Sequence, residues 1–75
     1  MVYSDKQIQD RESALRERFN NFKQVIFKKY SEGDLFFEAL GFDGEEKYLR
    51  LKRDGKLFVH LNAQWIHVKN FIYRE

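Results

Sequence analysis

Cysteine and proline are both missing from this chain of 75 residues, and glycine occurs only at Gly33, Gly41, Gly44 and Gly55. Without cysteine there is no disulfide and no thiolate metal site. Without proline or clustered glycine nothing reads as a linker, a repeat or a low-complexity tract, so one domain is expected over residues 1–75. An apolar N-terminal stretch and a long uncharged apolar run are lacking too, which argues against secretion and membrane spanning and favours a cytoplasmic protein. Excess charge of one sign is scarce: fourteen Lys and Arg against twelve Asp and Glu leave +2, too mild to mark a nucleic-acid binder by itself.

Aromatic rings are abundant by contrast. Eight Phe, four Tyr and one Trp make 17% of the chain aromatic. A domain this small buries only about 60% of the surface its unfolded chain exposes, so some of these rings are expected at an interface. With disulfides and thiolate metals excluded, oligomerisation is the staple that remains.

Ser4 and Gln7 have the spacing of a capping box, and Tyr3 and Ile8 that of a hydrophobic staple, so a helix is expected to begin at Asp5. Ile8, Leu15, Phe19, Phe22, Ile26 and Tyr30 then fall on one stripe at about 100° per residue. Lys28 and Lys29 suit the negative end of a helix dipole and Gly33 offers a left-handed stop, which predicts a long amphipathic helix over about 5–31. At 1.5 Å per residue it would reach about 40 Å and outrun any sheet of six-residue strands. Its overhanging N-terminal half would then be the surface for a homodimer.

Beyond Gly33 the apolar pattern alternates, with Asp43-Gly44 and Asp54-Gly55 as turn signals. Three-residue loops, Phe42-Asp43-Gly44 and Arg53-Asp54-Gly55, place Leu35 opposite Leu51, Phe37 opposite Leu49, Leu51 opposite Leu57 and Leu49 opposite Val59, all on one face. A two-residue first loop would instead set Glu38 against Leu49 on that face. Asn62-Ala63 is a weaker turn, yet it would bring Val59 opposite Ile66 and Leu57 opposite Val68, so a fourth strand is favoured. The expected fold is α+β: the long helix packed on one face of a three- to four-stranded antiparallel meander with strands at about 35–41, 45–52, 56–61 and 64–69. Periodicity does not assign residues 70–75 to strand, helix or tail.

In this register Leu35, Phe37, Ala39, Leu49, Leu51, Leu57, Val59, Leu61, Ile66 and Val68 form the covered face. The other face carries Phe36, Leu40, Tyr48, Phe58 and Trp65 with Arg50, Lys52, His60, His67 and Lys69. An apolar patch mixed with cations suits a protein partner, which favours Tyr, Trp, Phe and Arg as anchors. It also suits single-stranded nucleic acid, whose bases stack on rings while cations meet phosphates. The plain structural alternative is a second minicore closed by the C-terminal tail or by an identical subunit.

Chemistry is harder to place. His60 and His67 alone make a poor metal site, because catalytic zinc takes three protein ligands. Asp43, Glu45 and Glu46 sit at a turn where solvation prevents the pKa separation that acid–base pairs need. Isolated glycines form no phosphate loop, and Ser4, Ser13 and Ser31 lack a base. On the helix, Arg11, Arg18 and Lys29 are expected to flank the stripe with stems buried and charges in water. The expectation is a non-enzymatic module without cofactor or metal, a regulator, inhibitor or adaptor. It would bind another protein through Phe36, Tyr48, Arg50, Lys52, Phe58, His60, Trp65, His67 and Lys69. The alternative is a sequence-tolerant single-stranded RNA or DNA binder using the same face.

Overall fold

The computed structural model describes residues 3–74. Met1, Val2 and Glu75, part of the expected domain span, lie outside them. Among the described residues one helix, α1 (Asp5–Arg18), precedes five strands: β1 (Phe22–Ser31), β2 (Asp34–Gly41), β3 (Glu46–Leu51), β4 (Lys56–Leu61) and β5 (Gln64–Ile72). They form one antiparallel meander in the order β1-β2-β3-β4-β5. The α+β class is as expected, but the sheet has five strands and the helix is short.

α1 starts where its cap predicts. The Ser4 side chain accepts the Gln7 amide at 3.1 Å while the Gln7 side chain accepts the Ser4 amide at 2.8 Å, so two orphan donors are satisfied together. The helix then ends at Arg18, not near Ser31, and the Phe19 amide closes its last turn on the Leu15 carbonyl at 3.0 Å. Fourteen residues give about 21 Å, so the overhang that suggested a helix-mediated homodimer does not exist.

What looked like the helix's second half is β1. Opposite Gly41, Ala39, Phe37 and Leu35 on the core face of β2 stand Phe22, Val25, Phe27 and Tyr30. Two bulges, between Phe22 and Gln24 and between Phe27 and Lys29, insert an extra residue each and reverse the side-chain alternation. Core-facing residues therefore recur at intervals of three, two and three, which breaks the period of two by which a strand is read from sequence. The β-branched and aromatic run Val25-Ile26-Phe27 decides the local preference in favour of strand.

The later hairpins keep the expected register: Leu35 faces Leu51, Phe37 faces Leu49, Leu49 faces Val59, Leu51 faces Leu57, and across β4–β5 Val59 faces Ile66 and Leu57 faces Val68. The first loop closes with Gly44 donating to the Gly41 carbonyl at 3.1 Å, and the second with Gly55 donating to the Lys52 carbonyl at 2.9 Å. Their glycines hold φ of 86° and 93°, the left-handed position that a three-residue hairpin loop requires. Past Val68, Lys56 faces Ile72, so the C-terminal stretch bulges and then continues the strand.

The core is Leu15 of α1 packed on Val25, Leu35, Phe37, Ala39, Leu49, Leu51, Leu57 and Phe71. Val59 and Val68 are partly buried against it, whereas Leu61 and Ile66, also on the helix side, are 38% and 43% exposed. α1 is too short to reach the tip of the β4–β5 hairpin. Arg11 departs from its expected place in water: it is 7% exposed, donates to the Gln7 carbonyl at 2.9 Å, and its guanidinium lies 4.7 Å from the Tyr3 ring centre and 4.5 Å from that of Tyr73. It ties both ends of the described chain to the helix.

Candidate functional site

Alternation along the hairpins sends Phe36 of β2, Tyr48 and Arg50 of β3, Phe58 and His60 of β4 and Trp65 and His67 of β5 to the face away from α1. Lys52 just after β3 joins them. Trp65 and Phe36 belong to strands three apart, a separation of about 14 Å in a flat sheet, yet their ring centres are 5.9 Å apart and edge-to-face. The sheet therefore curls toward this face and gathers its side chains into a single cluster.

Arg50 lies at its centre, 5.3 Å from the Phe36 ring and 5.9 Å from that of Trp65. Asp34, the first residue of β2, holds it there. Its Oδ2 accepts Arg50 Nε at 2.8 Å, lies 2.6 Å from Nη2 of the same guanidinium, and lies 3.6 Å from Lys52 Nζ. Asp34 is 5% exposed, and a carboxylate that far from water requires such cations beside it. The charge of Arg50 is thus spent within the molecule, which fixes the rings around it.

His60 packs 5.0 Å from Trp65, His67 packs 5.0 Å from Phe58, and Lys52 Nζ lies 6.0 Å from the Phe58 ring. Each histidine is thus engaged with a ring, and no group of three or more metal-ligating side chains occurs among the described residues. Lys69 stands apart from the cluster. It follows the last residue in regular register with β4, is exposed, and makes no ion pair or ring contact among the described residues.

Beside the cluster a hollow of about 280 Å³ opens between Lys28, Lys29, Phe36, Tyr48 and Trp65. Tyr48 is 47% and Trp65 37% exposed. Lys28 is the extra residue of the second β1 bulge, and Lys29 Nζ sits 5.1 Å from the Phe36 ring. Neither lysine forms an ion pair among the described residues, so two unspent cations rim an aromatic floor. Reading residues 22–31 as helix hid both lysines, and starting β2 at residue 35 hid Asp34. The signal available was the Val25-Ile26-Phe27 run bounded by Asn20-Asn21 and Glu32-Gly33.

No family model, no curated protein and no solved structure matched this chain. Among the described residues no helix is long and apolar enough to cross a membrane.

Proposed function

We propose that this protein is a non-enzymatic protein-binding module, a regulator, inhibitor or adaptor, whose outer sheet face grips a segment of a partner protein. The hollow carries the reading. Tyr48 and Trp65 supply apolar anchoring surface while Lys28 and Lys29 attract a carboxylate, so the matching segment pairs a bulky apolar residue with a nearby Asp or Glu.

Several features favour protein over single-stranded nucleic acid. The Phe36–Trp65 pair packs edge-to-face, which presents rims and not the open parallel platforms on which bases stack. Arg50 is neutralised by Asp34, and Glu38 and Glu46 lie on the same face, so no continuous cationic track follows a phosphate backbone.

Selection of displayed random peptides on the purified protein tests this. Binders should be enriched in an acidic residue next to an aromatic or aliphatic one. Tyr48→Ala, or Lys28→Glu combined with Lys29→Glu, should weaken them about tenfold or more, a loss of about 1.4 kcal/mol, with the unfolding midpoint kept. Trp65 fluorescence quenched by oligonucleotides with a steep salt dependence, and no peptide enriched, would replace this reading with the nucleic-acid one.

A further inference from the structure

The two edges of the sheet differ. β1 is interrupted by two bulges, and the Phe27 amide donates to the Glu12 carboxylate of α1 at 2.8 Å, so the helix guards that edge at its middle. β5 has its one irregularity past Val68, and among the described residues no side chain of α1 bonds to its edge. From Gln64 to Val68 it runs in unbroken register against β4, and no strand follows it in the sheet. A regular, uncovered edge of this kind is a template for another strand.

The turn fixes which groups this edge offers. Asn62 and Ala63, both at positive φ, form a two-residue loop in which the Leu61 carbonyl accepts the Gln64 amide. Hydrogen-bonded pairs alternate with open ones along an antiparallel ladder. The Leu61–Gln64, Val59–Ile66 and Leu57–Val68 pairs therefore exchange bonds, while the amides and carbonyls of Trp65 and His67 point outward. Each face offers exposed apolar surface near the edge, Ile66 with the neighbouring Leu61 on the helix side and Trp65 on the other, each more than a third exposed, beside the polar Gln64 and His67.

We propose that β5 is a self-association edge and that its occupant is β5 of a second copy, antiparallel across a two-fold axis at Ile66. The edge is self-complementary about Ile66, which is what selects a second copy as its occupant. A two-fold perpendicular to the sheet keeps the helix sides together, and only its placement at Ile66 pairs the outward groups of Trp65 with those of the partner's His67, and the reverse. It sets Ile66 against its own copy and Gln64 against the partner's Val68, with no like charges opposed. The two sheets then form one ten-stranded sheet, and the hollows of both copies stay open on one side.

Because the chain has no cysteine, a single introduced thiol reports this contact. The Ile66 pair is a non-hydrogen-bonded one, with Cα atoms about 4.5 Å apart, inside the range a disulfide bridges. Ile66→Cys should form a disulfide dimer under mild oxidation, whereas Tyr48→Cys, equally exposed on β3, should stay a free thiol. In sedimentation at high micromolar concentration the unmodified protein should be a dimer and Ile66→Lys a folded monomer by circular dichroism. A monomeric unmodified protein, a dimer that survives Ile66→Lys, or cross-linking of Tyr48→Cys as fast as Ile66→Cys would each overturn the proposal.

Discussion

At the tip of the β4–β5 hairpin Ala63 holds φ of 62° beside Asn62 at 51°. Asparagine tolerates the left-handed region, but alanine meets its Cβ clash there, at a cost of about 1–2 kcal/mol. Ala63→Gly removes that clash, and the larger entropy of an unfolded glycine offsets part of the gain, so stability should rise by about 0.5–1 kcal/mol. Gly55 is the opposite case. Its φ is 93°, a Cβ there would run into the Tyr73 carbonyl oxygen, and its own carbonyl accepts the Tyr73 amide at 2.9 Å. Gly55→Ala should therefore cost about 2 kcal/mol or more, from strain and from displacement of the C-terminal strand. Gly44→Ala, with similar φ but open space around it, should cost only about 1 kcal/mol. Urea unfolding of the three variants checks the order, and equal losses at Gly44 and Gly55 would show that Tyr73 is not held at that turn.

Between elements Glu12 makes a directional tie. Its carboxylate reaches from α1 to the Phe27 amide at a point where the bulged strand has no further neighbour. Glu12→Ala leaves that part-buried amide unpaired and should cost about 1–3 kcal/mol, while Glu12→Gln, whose carbonyl oxygen can still accept, should cost less. Faster hydrogen exchange at Phe27 in the alanine variant would locate the loss. The same strand shows where sequence patterning stops being legible. Register from β2 to β5 followed from two Asp-Gly turns and from the core-facing Leu35, Phe37, Leu49, Leu51, Leu57 and Val59, each of which has an apolar partner directly opposite. β1 did not follow, because its two bulges bring Phe22, Val25, Phe27 and Tyr30 to the core at intervals of three, two and three, and without a sustained period of two only the long-range pairing with β2 marks the segment as strand. The capping box at Ser4 marked where α1 begins, but no glycine or proline marks its end after Arg18.

For the molecule as a whole, a curled sheet with one covered and one open face would, on the proposed function, let folding and partner binding draw on different residues. The outer set was readable because it is the complement of a correctly registered core, whereas Lys28, Lys29 and Asp34 entered only through the misassigned strand and its hairpin. Trp65 and Leu49 test the division. Leu49 is 2% exposed on the core side of β3, and Leu49→Ala should cost about 2–5 kcal/mol through the cavity it opens. Trp65 is 37% exposed. It leans on Phe36, His60 and Arg50, and the contacts of a half-open aromatic contribute about 1 kcal/mol beyond the area it covers, so Trp65→Ala should lower stability clearly less than Leu49→Ala. As a wall of the hollow it should nonetheless weaken a selected peptide by about 2 kcal/mol or more, the loss expected of a buried anchor. Chemical denaturation measures one quantity and peptide titration the other. If Trp65→Ala instead unfolds the domain as readily as Leu49→Ala, the outer cluster is a second core, and the residues that grip a partner must be sought on Tyr48 and the two lysines alone.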